Sequence, residues 1–325
     1  MDRQMKSDLK QRVNDAGFTD VVFSWSLENV FNEELYSNQV EEIPNEFKSV
    51  EDYFAAYMYP LLEETRTELH SSLDVLTNAP YAEVIAFDEA KPHKPYHYDI
   101  QVDYWRNRFG HGKEPYKILP GDILILANKK PETASNLRLL GDSWAYASVV
   151  NIKDAVDEED DNISAYFKVK ASKDMESHGE AWTMFVVFLM NVTTQKRIWN
   201  TLHMFRNVQV VNRLLSTDTL ATMNCDLCVY NDIEELTSEF SRLLHSDMND
   251  SQSDAVLSCL RKMKCCHQPS VDLIWGLPGT GKTKTVATLL ATLLEMRGRI
   301  LCCAPTNVAV TELASRTVFF FDTWW

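Results

Sequence analysis

The sequence predicts a multi-domain α+β chain: a helical region carrying an inserted small β-barrel, followed by the opening part of an α/β lobe. Three observations predict it. Apolar residues from Tyr53 to Leu73 recur with a helical period, and six short segments between Tyr81 and Leu189 alternate with the period of strands. Residues Gly276 to Thr283 then form a glycine-rich loop between an apolar run and a second helical pattern.

Taken in order, residues 1–48 show no pattern that fixes an element, and they are set apart as an N-terminal segment. Ser49 and Asp52 have the spacing of a capping box, and the stripe Tyr53, Phe54, Tyr57, Met58, Leu61, Leu62, Leu69, Leu73 follows it. One long helix from Val50 to about Leu76 is expected, with a kink at Pro60, within a helical segment spanning 49–80. The strand candidates are Glu83–Phe87, Tyr98–Val102, Asp122–Leu126, Ala145–Val150, Ser164–Val169 and Thr183–Leu189. Turn signals such as Pro120-Gly121-Asp122 and Gly141-Asp142-Ser143 separate some of them, and short strands at this spacing favour a small barrel over 81–206. Asn207–Leu215 and Ile233–Leu244 read as further helices within 207–248, and the lobe occupies 249–325.

Gly276-Leu277-Pro278-Gly279-Thr280-Gly281-Lys282-Thr283 is a complete G-x-x-x-x-G-K-[ST] phosphate loop. Val271–Trp275 before it reads as a buried strand, and Thr285–Leu294 after it as a helix, so strand, loop and helix stand in the order the motif needs. Glycines let backbone N–H groups close on phosphate oxygens, and the helix N-terminus adds its positive end. Lys282 is placed for the β and γ phosphates and Thr283 for Mg²⁺, which makes ATP with Mg²⁺ the expected cofactor pair.

Beyond the loop, Arg299–Ala304 reads as a second short strand running into Pro305-Thr306-Asn307, and Asn249-Asp250-Ser251-Gln252 opens an amphipathic helix. These three stretches resemble consecutive motifs of superfamily 1 helicases: the glutamine motif, the phosphate loop and motif Ia. The likeness is to senataxin-like helicases of plant type, related to the nonsense-mediated decay helicase, and it spans roughly residues 49 to 316. Leu277 departs from the proline usual there, at a variable loop position. The resemblance implies a stalk bearing a β-barrel, then an incomplete RecA-like phosphate-loop lobe. It also implies that Gln252 meets the adenine edge, that Gly276, Pro278, Gly279, Thr280, Gly281, Lys282 and Thr283 hold the nucleotide, and that Pro305, Thr306 and Asn307 touch a single strand of RNA or DNA. A nuclear or cytoplasmic site of action follows from the same resemblance.

A motor of this kind also needs an acidic motif and arginines from a second lobe. Neither can be placed after Asn307. Asp322 follows three phenylalanines but no second carboxylate follows it, so no catalytic residue is assigned. The expectation is therefore the N-terminal part of a helicase, from a truncated gene product or splice form, that binds nucleotide without unwinding on its own. The alternative is a non-catalytic interaction or dominant-negative protein using stalk and barrel to bind a protein partner. A small-molecule kinase shares the phosphate loop but not Gln252 or Pro305-Thr306-Asn307.

The formal charge of −15, from 47 acidic and 32 basic residues, disfavours nucleic-acid binding through an overall field and leaves only a local basic groove for it. Part of the imbalance sits in the acidic run Asp154–Asp161, read as a solvated loop. Tyr104 and Trp105 beside Arg106 and Arg108 could stack on bases, but core packing and surface charge are the favoured reading, since no regular platform spacing is visible. No apolar run reaches the length of a membrane span, and Met1–Asp8 has no apolar signal region. Cys225 and Cys228 with Cys265, Cys266 and His267 have zinc-ligand residue types, but the second cluster lacks the usual two-residue gap. All seven cysteines are read as free thiols, with Cys302 and Cys303 in a core strand.

Overall fold

A computed structural model of the chain describes residues 17–90, 94–106, 116–153, 164–175, 183–204, 208–215, 248–263, 271–304 and 306–322. The chain divides into two compact units, Met1–Arg206 and Asn207–Trp325.

The described part of the first unit opens with two short helices that the sequence pattern did not reveal, α1 (Phe18–Phe23) and α2 (Leu27–Phe31). Ser26 starts α2 with a reciprocal capping box: its Oγ accepts from Asn29 N–H, and Asn29 Oδ1 accepts from Ser26 N–H. Phe18, Val22 and Val30 are buried, so these residues belong to the core of the unit.

The single long helix expected after Ser49 is two helices, α3 (Val50–Ala56) and α4 (Met58–Asp74). Ser49 Oγ accepts from Asp52 N–H at 3.0 Å, as the sequence requires. The break falls at Tyr57 (φ −95°, ψ −8°), which places Pro60 in the first turn of α4, where its missing N–H costs no helical hydrogen bond. Leu61, Leu62, Thr65, Leu69 and Leu73 form the buried stripe of α4. Arg66, also buried, donates from Nη1 to Val30 O at 2.5 Å and from Nε and Nη2 to Glu63. The end of α2 thus has a partner for its carbonyl and the buried guanidinium has its counter-charge.

All six strand candidates are strands: β1 (Tyr81–Glu89), β2 (His97–Val102), β3 (Asp122–Ala127), β4 (Trp144–Lys153), β5 (Ala165–Ala171) and β6 (Phe185–Asn191). They close into a barrel of order β1-β2-β5-β4-β3-β6, and each neighbouring pair is antiparallel. Alternate residues such as Ile100, Leu124, Ala147, Phe167, Val169 and Val186 fill the interior. β3 is buried at every position, which explains its unbroken apolar reading: one face lines the barrel, and neighbouring β6 packs against α4. A capped helix α5 (Ala134–Leu140) joins β3 to β4. After β6, α6 (Thr193–Met204) returns along α4, with Trp199 against Phe18 at 5.6 Å between ring centroids.

Pro120-Gly121-Asp122 is the joint between barrel and α6. Gly121 has φ +87°, and a Cβ there would lie 2.2 Å from Thr193 Oγ1, so only glycine fits. Asp122, 1% exposed, accepts from Leu119 N–H at 2.7 Å, from Asn191 Nδ2 at 2.6 Å and from the Tyr116 hydroxyl.

The second unit contains α7 (Val208–Leu215), α8 (Asp250–Met263), α9 (Lys282–Glu295) and α10 (Asn307–Asp322). α9 packs between α8 and α10, and Val256, Leu260 and Leu293 form the core between α8 and α9. The sequence-predicted strands flanking α9 are corrected here: among the described residues neither 271–275 nor 299–304 pairs as a strand. Leu273 is 90% exposed, Trp275 81% and Leu301 90%, and Cys302 and Cys303 are exposed rather than in a core. An extended segment becomes a strand only when neighbouring strands take up its N–H and C=O groups. Residues 317–322 continue α10, so the stretch before Asp322 is helical and not a strand ending in a catalytic aspartate. The expected helix 233–244 and the acidic run 154–161 lie outside the described residues.

Candidate nucleotide site

Asn249 and Gln252 start α8 with a reciprocal pair of bonds: Asn249 Oδ1 accepts from Gln252 N–H at 3.0 Å, and Gln252 Oε1 accepts from Asn249 N–H at 3.1 Å. The spacing N-x-x-Q is a capping box legible in the sequence, and it fixes where the Gln252 carboxamide sits. Its Nε2 then donates to Thr280 O at 2.9 Å, which brings Gln252 onto the phosphate loop.

Gly279 (φ +82°) and Gly281 (φ +85°) supply the left-handed turns of that loop. Thr280 Oγ1 donates to Leu277 O at 2.8 Å, closing the loop from within. Gly276 and Pro278 complete it, and a Cβ at Gly276 would lie 2.7 Å from Thr280 Oγ1. Lys282 folds its Nζ onto two loop carbonyls, Gly276 O at 2.7 Å and Leu277 O at 2.9 Å.

The helix that follows is built to receive an anion. Gly281 is its N-cap and offers no side-chain acceptor, and no acidic residue stands in its first turn. The first backbone N–H groups of α9 therefore keep their donor capacity, and the macrodipole adds positive potential. Thr283 is exposed in that turn. These donors fit the phosphates of a nucleotide, and an exposed hydroxyl beside them fits a magnesium ligand.

Thr306 caps α10, its Oγ1 accepting from Ala309 N–H at 3.2 Å, and Thr306 and Asn307 are both exposed. Pro305 lies outside the described residues. On the barrel, half-buried Trp105 packs against the core, edge-on to Tyr116 at 4.6 Å, whereas Tyr104 is exposed beneath the Arg106 guanidinium at 4.5 Å. Arg106 is itself paired with Asp103 at 2.5 Å, and Arg108 lies outside the described residues. The candidate zinc residues Cys225, Cys228, Cys265, Cys266 and His267 also lie outside them. Among the described residues no group of three or more His, Cys, Asp and Glu could hold a metal ion. Cys259 is a buried free thiol whose pKa is pushed up by burial and by nearby Asp272. No described helix is long and apolar enough to cross a membrane.

A barrel joined to helices and a phosphate loop are the parts this chain presents, and comparison with known proteins finds its likeness among senataxin- and UPF1-like helicases. An "AAA domain" family profile matches residues 247–322. The chain is 44% identical over 82 residues to ATP-dependent helicase NAM7 of Saccharomyces cerevisiae, a match covering 25% of this chain and 8% of that protein. It is 30% identical over 158 residues to "probable helicase senataxin" of Mus musculus, covering 43% of this chain and 6% of the relative. Against regulator of nonsense transcripts 1 homolog of Arabidopsis thaliana it is 42% identical over 71 residues, 22% of this chain and 5% of that protein. These matches thus cover less than a tenth of each relative's length. By the profile matching residues 14–222, the chain belongs to the family described as "Domain of unknown function (DUF6469)".

Proposed function

We propose that this chain is part of an ATP-dependent RNA or DNA helicase, and that its loop 276–283 binds ATP with Mg²⁺. The observation that carries the proposal is the anion-receiving end of α9: a glycine N-cap, no acidic residue in the first turn, and Lys282 held over the loop. Lys282 would exchange its two carbonyl acceptors for phosphate oxygens, which bear full charge and bind an ammonium more strongly. Thr283 would hold Mg²⁺, which when bound neutralises charge between phosphate oxygens. Thr306 and Asn307, exposed at the start of α10, would meet the backbone of a single strand.

Nucleotide binding at loop 276–283 is the activity proposed for these residues. Isothermal titration with a non-hydrolysable ATP analogue and Mg²⁺ tests it. Lys282→Ala is expected to weaken binding about ten- to a hundredfold, the range of one or two charge-assisted hydrogen bonds. Equal affinity in the variant would remove Lys282 from the site.

A second reading, a non-catalytic interaction protein, is favoured by one observation. Leu273, Trp275 and Leu301 stand exposed on the two segments flanking α9, a surface that another polypeptide could cover. Under that reading alone, the chain binds no ATP analogue.

A further inference from the structure

The inference rests on the nucleotide reading of the loop and deepens it. We infer that Gln252 is a positioning residue for the phosphates: its carboxamide holds the Thr280–Gly281 peptide in the orientation phosphate binding requires, so that it controls affinity for a triphosphate with no base attached.

Three contacts converge on this. Gln252 Nε2 donates to Thr280 O at 2.9 Å. Its Oε1 is engaged by Asn249 N–H at 3.1 Å, which sets the amide's orientation: turned over, it would place Nε2 against an N–H donor and Oε1 against a carbonyl. A Cβ built on Gly281 would come within 2.6 Å of Nε2, so the carboxamide sits flush against a turn whose φ of +85° favours glycine.

The consequence follows from peptide planarity. In a trans peptide the C=O and the next N–H point in opposite directions. Anchoring Thr280 O to Gln252 therefore directs Gly281 N–H away from α8, where it can join the first amides of α9 in facing an anion. Glycine at φ +85° visits many conformations when unrestrained, and a flip of this peptide would present a carbonyl to the phosphate instead. One Nε2 hydrogen and one Oε1 lone pair remain available in this hydrogen-bond pattern, so a base contact by the same amide is compatible with the brace.

The test is titration of the full chain with Mg²⁺-tripolyphosphate and, separately, with the Mg²⁺ complex of an ATP analogue. Gln252→Ala is expected to weaken tripolyphosphate binding about three- to tenfold, the value of one neutral hydrogen bond. Asn249→Ala removes the helix cap but keeps the amide donor, and it is expected to stay within about twofold of wild type for tripolyphosphate. Circular dichroism of both variants checks that α8 is retained. A loss for the ATP analogue exceeding that for tripolyphosphate supports the brace and adds a base contact. Wild-type tripolyphosphate affinity in Gln252→Ala overturns the brace and leaves the nucleotide site standing. A wild-type chain that binds neither ligand overturns both readings.

Discussion

Replacing Asp122 by alanine tests the joint on which barrel and α6 depend. The carboxylate is 1% exposed and serves Leu119 N–H, Asn191 Nδ2 and the Tyr116 hydroxyl. Asn191 Nδ2 also donates to Pro120 O at 3.2 Å, so it keeps a partner in the variant. Leu119 N–H and the Tyr116 hydroxyl lose theirs; Leu119 is exposed and its N–H can turn to water, so the cost falls mainly on the Tyr116 hydroxyl, at about 1–3 kcal/mol for a donor left unmade. Loss of the charged acceptor for Asn191 Nδ2 adds to this and relief of the carboxylate's own desolvation offsets part of it, which puts the net loss at about 2 kcal/mol. Burial first and the charge of Asp122 second hold the Tyr116 pKa far above the ordinary phenol range. Urea denaturation followed by tryptophan fluorescence should show the first unit's midpoint falling by about 1 M, at slopes of roughly 2 kcal/mol per molar. Asp142→Ala is the control: that side chain is fully exposed and its pairing with Lys173 at 3.2 Å is a surface contact. A shift for Asp122→Ala no larger than for Asp142→Ala would refute the joint as a stabilising element.

Two further outcomes are expected. Tyr36 and Tyr98 have their pKa values pushed up to about 12, in each case mainly by burial, with Asp174 adding to the rise at Tyr98. A raised folded pKa leaves stability intact below the unfolded value near 10 and removes it as pH climbs toward about 12, because the unfolded chain releases protons that the native state retains. Urea midpoints should therefore fall between pH 10 and 12, and less so in Tyr98→Phe; a flat profile would contradict the burial of both phenols. Hydrogen exchange should be fast across 271–277 and 299–304, which carry no strand pairing in the structure, and slow across β3, which is hydrogen-bonded on both sides. Slow exchange in the two segments would show that they pair in solution.

What the sequence alone determined was local. Alternation marked strands such as β2 and β5, because a half-buried strand writes its two faces into successive residues, and β3 was readable as a continuous apolar run buried at every position. Ser49 announced the start of α3, and the glycines with Lys282 marked the loop, because caps and left-handed turns depend on residue types a few positions apart. Tertiary structure decided what depends on distant partners. α1 and α2 are too short to show a helical period, and their burial comes from Trp199 and the α4 helix that packs against α2. Pro60 predicted a kink, but the complete break at Tyr57 was not legible, since a proline near a helix start either bends one helix or begins another. Strand order and barrel closure, the burial of Asp122, and the reach of Gln252 to Thr280 across 28 positions were likewise hidden. The segments 271–275 and 299–304 show the same limit: apolar residues give the propensity for a strand, but its hydrogen bonds must come from neighbours elsewhere in the chain.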